Sequence, residues 1–178
     1  RVSSNITQNT FFKVYNMAVS KKTYTLISET FYDNKDKDPI RERLTYTDEK
    51  DLIKNMFSNP ITINHDNIKS LVKEYVSQPV PKTYISKNKI MRGDTTHIFK
   101  SEIVREYNHD SVSMQNETIK KYKLRCSWLE DMWMYDVTIL LINDIKKGKT
   151  GIFYEVEIEY DNNSVLKNKY TFDDILDT

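Results

Sequence analysis

The 178-residue chain has only three glycines, Gly93, Gly148 and Gly151, together with four prolines and one cysteine. Without a glycine-rich run there is no phosphate-cradling backbone loop and no dinucleotide fingerprint, so any phosphate bound here must be held by side chains. Cys126 permits no disulfide within the chain, and on the apolar side of its segment it reads as a reduced, buried thiol. His65, His97 and His109 are scattered without the spacing of a zinc site. No signal segment or long apolar run occurs, which argues against a membrane role and makes a cytoplasmic location the expectation. The sequons at Asn5, Asn116 and Asn162 are then chance matches in an Asn-rich chain, and Arg92-Gly93-Asp94 reads as a hairpin turn. No Pro/Gly/Ser-rich linker divides the chain, so a single domain is expected. Charge of one sign is also missing, because 27 Lys and Arg nearly balance 26 Asp and Glu. Affinity for an anion must therefore come from segregated charge rather than from net charge.

Segregated charge is what the second half of the chain contains. In Phe153-Tyr154-Glu155-Val156-Glu157-Ile158-Glu159-Tyr160, strand alternation places Glu155, Glu157 and Glu159 on one face and Tyr154, Val156, Ile158 and Tyr160 on the other. Same-face neighbours on a strand lie ~6.6 Å apart, where two like charges repel by roughly 2.5 kcal/mol at an effective dielectric of about 20. A facing cationic row would offset that. Lys121, Lys123, Arg125 and Ser127 form such a row, opposite Tyr122, Leu124, Cys126 and Trp128. Between the two segments, Asp136 and Thr138 share a face opposite Trp133, Tyr135, Val137 and Ile139. The three segments read as an antiparallel meander with turns near Leu129 to Met132 and Asn143 to Gly151, each strand having one apolar and one charged face.

The same parity recurs in Arg41 and Arg43, in Lys87 and Lys89, and in Lys100, Glu102 and Glu106. One wet face of an ordinary sheet would seldom need so many strands of this kind. The expected fold is α+β, mainly β: a closed antiparallel barrel forming a charged, hydrated tunnel, with helices packed on the outside. Thr10 to Val19 is helix-like. Thr47, followed by Asp48 and Glu49, signals a helix burying Leu52, Ile53, Met56 and Phe57, and Asn64 opens another burying Ile68, Leu71, Val72, Tyr75 and Val76 before Pro79 and Pro81.

Lys-x-Lys-x-Arg-x-Ser at Lys121 to Ser127, Asp-x-Thr at Asp136 to Thr138 and Glu-x-Glu-x-Glu at Glu155 to Glu159, in that order, resemble the second half of the tunnel-type, metal-dependent RNA triphosphatases. The likeness is to the amino-terminal triphosphatase domains of mRNA-capping enzymes of large cytoplasmic DNA viruses. It runs loosely from Arg1 to Tyr160 and is strongest from Lys121 onward. It implies that Glu155 and Glu157 hold Mg²⁺ or Mn²⁺, and that Arg41, Lys87, Lys89, Lys123 and Arg125 grip a triphosphate. Glu106 and Asp136 match further acidic tunnel positions, and Glu159 is placed to orient the attacking water. Arg43, Lys100, Glu102, Lys121 and Thr138 join by parity.

The implied activity is removal of the γ-phosphate from triphosphate-ended RNA, the first step of mRNA capping. A fused or associated guanylyltransferase or methyltransferase is an implied partner. Two alternatives stay open: the same tunnel acting on nucleoside triphosphate, inorganic tripolyphosphate or thiamine triphosphate, or a non-catalytic module binding polyphosphate or a protein. One departure stands out, because the family carries a second glutamate pair on its first strand and no Glu precedes Glu29 here. The expectation is a single tunnel domain over residues 1–178 lacking that strand, which would belong to an upstream segment of the parent protein.

Overall fold

The computed structural model describes residues 2–33, 39–92, 100–110, 116–131 and 133–160, with side chains over 6–33, 39–87, 106–110, 116–131 and 133–159. The elements run β1 (Val2–Ile6), α1 (Gln8–Met17), β2 (Thr23–Tyr32), β3 (Ile40–Thr47), α2 (Leu52–Ser58), α3 (His65–Val76), β4 (Thr83–Arg92), β5 (Lys100–His109), β6 (Glu117–Glu130), β7 (Trp133–Asp144) and β8 (Lys149–Tyr160). A 3₁₀ turn, Pro60–Thr62, joins α2 to α3. All pairings are antiparallel, in the order β1-β5-β4-β3-β2-β6-β7-β8. Because β1 pairs with both β5 and β8, the hydrogen bonding closes on itself as a barrel. The position where a strand was expected to be missing is filled by the five residues of β1, whose Ser3 and Asn5 stand opposite Glu157 and Glu155 in register.

Alternation splits each strand between two environments. The outer faces of β2, β6 and β7 contribute Leu26, Leu124, Cys126, Trp128, Val137, Ile139 and Leu141 to one buried cluster, which Phe11 and Tyr15 of α1, Phe57 of α2 and Ile68 and Tyr75 of α3 complete. The largest hydrophobic cluster therefore lies between the barrel wall and the helices, and the charged side chains are left to the inner face. Burial pushes the Cys126 thiol up to about 12, so it is protonated and inert at neutral pH.

The helix signals hold with one correction. Asn64 caps α3, its side chain accepting from the Asn67 amide at 2.9 Å, although Val76, expected on the buried stripe, is 45% exposed. Thr47 does not open a helix. It ends β3, paired with Thr25, and α2 begins at Leu52 after Asp51, whose φ of 56° is left-handed. Asp48 accounts for the delay, since one carboxylate oxygen accepts from the Lys54 amide at 2.9 Å and the other from the Tyr75 hydroxyl. The Gly93 turn lies outside the described residues.

Candidate active site

Cross-strand register assigns the inner face row by row, because directly paired residues share a side of the sheet. One row holds Thr25, Arg125, Thr138 and Glu155, and the next Thr23, Ser127, Asp136 and Glu157. On the other side of the first row come Ile27, Lys123, Leu140 and Phe153, then Glu29, Lys121, Ile142 and Gly151. Arg41 and Arg43 of β3 flank Phe31 and Glu29. The expected charged inner face is present but interrupted: Ile27, Ile85 and Leu140, all buried, share it, so charges alternate with apolar layers.

Two ion clusters occupy this interior. In the first, fully buried Glu29 meets Arg43 Nη2 at 2.8 Å, Lys123 Nζ at 3.2 Å and Arg41 Nη1 at 3.3 Å. Burial alone would raise the Glu29 pKa, but Lys123, Arg43 and Arg41 outweigh it and hold the carboxyl well below the usual range. Lys123 responds oppositely. Burial pulls it down to about 8, Glu29 and Glu155 resist, and Arg125 adds to the fall.

In the second cluster, Arg125 bridges two carboxylates. Nη1 lies 2.6 Å from Asp136 Oδ2, and Nη2 donates to Glu157 Oε2 at 2.9 Å, while the Ser127 hydroxyl donates to Asp136 Oδ1 at 2.6 Å. The cationic β6 row therefore meets the acids of β8 across β7, with Arg125 spanning the intervening strand. Among the described residues, Arg41 Nε, Arg125 Nε and Thr138 Oγ1 are buried without a hydrogen-bond partner. A buried donor left unmade costs about 1–3 kcal/mol, so an incoming oxygen-rich anion would be favoured there.

On the other wall Lys87 pairs with Glu106. Burial raises the Glu106 pKa, and Lys87, then Arg43 and Arg41, bring it below the usual value. Glu159, opposite Met134, continues the acidic face of β8. Lys89, Lys100 and Glu102 have side chains outside the described set. The structure thus brings together Arg41, Arg43, Lys123, Arg125, Asp136, Thr138, Glu155 and Glu157, with Lys87 and Glu106 nearby. Sequence reasoning missed Glu29, although it is the one charged residue in the ten of β2, and a lone charge in the middle of an apolar and hydroxyl strand was the available signal.

Carboxylate oxygens are the donors that Mg²⁺ and Mn²⁺ take. Among the described residues no three His, Cys, Asp or Glu side chains converge as a ready-made cage. Glu155 and Glu157, successive acids on one face of β8, could still supply the one or two carboxylates that Mg²⁺ takes when phosphate oxygens and water complete its shell.

No protein-family model and no curated protein sequence matches this chain. Solved structures do. The S. pombe Pct1 RNA triphosphatase in complex with the Spt5 CTD superposes with a TM-score of 0.59 at 17% identity, over 93% of this chain and 59% of that one. Another structure of S. pombe Pct1 gives 0.56 at 16%, with the same coverage. The RNA triphosphatase domain of a trifunctional mimivirus mRNA capping enzyme gives 0.52 at 14%, over 94% of this chain and 84% of that one. The chain spans less than two thirds of the Pct1 length. It has the fold of the tunnel-type RNA triphosphatases.

Proposed function

We propose that this protein is a metal-dependent RNA 5′-triphosphatase, removing the γ-phosphate of triphosphate-ended RNA as the first step of cap formation. The observation that carries the reading is the pairing of two unlike clusters inside one barrel: guanidinium and ammonium groups gathered on Glu29, and carboxylates gathered on Arg125. Phosphoryl transfer asks a protein chiefly to position the groups and neutralise charge on the equatorial and leaving oxygens. A charged tunnel through the barrel would do both.

Arg41, Lys87, Lys123 and Arg125 grip the triphosphate oxygens, and the unpartnered Nε donors of Arg41 and Arg125 acquire acceptors. Glu155 and Glu157 would hold Mg²⁺ or Mn²⁺, which when bound supplies neutralising charge at the γ-phosphate. Arg125 must then release Glu157 and turn to phosphate. Glu159 orients the water; the water oxygen bonds to the γ-phosphorus as the β–γ bridging P–O bond breaks, the electron pair stays on the β-phosphate, and the proton shed by the water passes by way of Glu159 to solvent. The products are orthophosphate and a 5′-diphosphate end, and the diphosphate end is the substrate of a guanylyltransferase partner.

A second reading has its own support. Ser3 and Asn5, rather than acids, stand opposite Glu157 and Glu155 in register, which suits a module that binds polyphosphate without hydrolysing it. Phosphate release from triphosphate-ended RNA, ATP and tripolyphosphate, with and without Mn²⁺, separates the readings. RNA turnover that requires metal supports the triphosphatase; binding without turnover of any substrate supports the module.

A further inference from the structure

Resting on the triphosphate-binding reading, we infer that the substrate enters with a fixed polarity, its nucleoside against Phe153 and its terminal phosphate toward Glu157. Along the inner face of β8 the chemistry changes from aromatic at Phe153 to acidic at Glu155, Glu157 and Glu159. The row of Phe153 contains Ile27, Lys123 and Leu140, with no acid. Ile27 and Leu140 are 8% and 2% exposed, whereas Phe153 is 39% exposed, a large apolar ring left open on an otherwise filled layer.

The ring is cradled. A Cβ on Gly151 would come within 2.9 Å of Phe153 Cε2 and 3.1 Å of Cζ, so the ring leans over Gly151 in space that only glycine leaves. The same end of the barrel is cationic and aromatic. Phe31 is bracketed by Lys121 Nζ at 4.9 Å and Arg41 Cζ at 5.0 Å from its centroid. A cavity of about 290 Å³ opens beyond it, lined by Ile119 and by two lysines, Lys146 and Lys147, that are paired with Asp33 and Asp144, so it adds no net charge of either sign. An RNA chain leaving past Phe153 meets the Phe31 π-face with Lys121 and Arg41 beside it, and beyond them a charge-balanced rim. Leaving past Glu159 it would meet acid. Base–aromatic stacking is tolerant of base identity, as suits an enzyme acting on any 5′ end.

The test is calorimetric titration of the protein with tripolyphosphate, ATP and a short triphosphate-ended RNA. Phe153→Ala and Phe153→Leu, the second keeping apolar bulk without a π-face, should weaken ATP and RNA binding about tenfold, within the range of one base stack. Tripolyphosphate binding should stay within twofold of wild type, and Phe153→Trp should restore the nucleoside ligands. Equal weakening for all three ligands, or unchanged ATP and RNA binding in both variants, overturns the polarity while leaving the triphosphate reading standing. Failure of wild type to bind any of the three overturns both.

Discussion

The two ion clusters inside the barrel have inverse stoichiometry. Around Glu29 one carboxylate serves Arg41, Arg43 and Lys123; around Arg125 one guanidinium serves Asp136 and Glu157. The first is a cationic excess with an acid at its centre, the second an anionic excess with a base at its centre. Each counter-ion holds like charges together that would otherwise separate, and each leaves charge to spare. The spare charge differs in sign, which is what a site for a polyanion beside a metal requires. Lys123 and Arg125, two apart on β6, join the clusters.

The largest expected effect comes from removing the acid at the centre of the first cluster. Glu29→Gln keeps the volume but leaves three cations without their common counter-ion, and breaking a buried pair in this way costs roughly 3–5 kcal/mol. Thermal unfolding should show the loss, and phosphate should restore more stability to the variant than to wild type, because an anion that binds only the folded state stabilises it. Equal rescue of both proteins would mean that Glu29 does not organise the cationic cluster.

The second cluster should answer through activity. Glu157→Ala or Glu155→Ala is expected to lower metal-dependent phosphate release at least a hundredfold, about 2.7 kcal/mol of barrier, while the fold persists. Steady-state assays with Mn²⁺ decide it. Retention of more than a tenth of wild-type turnover in both variants would remove the acidic wall from the metal model.

How visible these clusters are in the sequence depends on how charge is distributed along each strand. Arg125, Asp136 and Glu157 lie in stretches of their strands where polar and apolar residues alternate without a break, so their common face follows from parity alone. Glu29 has no charged neighbour at spacing two; its importance arises only when β3 and β6 close on either side of β2, a long-range event that no local window contains. The inward Leu140 and Phe153 were hidden for the opposite reason, since β7 and the start of β8 are apolar on both faces there and periodicity cannot assign a side. The start of α2 moved from Thr47 to Leu52 because tertiary pairing with Thr25 and the use of Asp48 by Lys54 and Tyr75 overrode a local cap signal.

A smaller effect links the clusters through pH. Burial brings Lys123 down to about 8, so its charge is fully present below that pH and lost above it. Affinity for triphosphate, read as kcat/KM, should fall on the alkaline side with an apparent pKa near 8, approaching tenfold per pH unit if that charge is essential. Lys123→Arg, which stays protonated, should move this limb upward. The stability sign is opposite: above pH 8 and below 10.5 the unfolded chain binds more protons than the folded one, so this group makes the protein more stable as pH rises. An activity limb that Lys123→Arg leaves in place would assign it to another group.

The smallest expected effect lies at the Lys87–Glu106 pair. Glu106 belongs to the same wall and feels the same cations as Glu29, yet its side chain is 43% exposed where that of Glu29 is 1% exposed. Water screens the outer pair, and pairs of this kind are worth about 0–1 kcal/mol. Glu106→Gln should therefore leave the unfolding free energy within about 1 kcal/mol of wild type, several times less than Glu29→Gln. Its effect belongs to the ligand instead. With the Glu106 charge removed, Lys87 has one competitor fewer for phosphate, so tripolyphosphate binding should be unchanged or slightly tighter in Glu106→Gln and weaker in Lys87→Ala. Denaturant titration and calorimetry on the two variants test both halves. A stability loss in Glu106→Gln comparable to that in Glu29→Gln would show that the outer pair is as structural as the inner cluster, and the distinction between an organising acid and a peripheral one would fail.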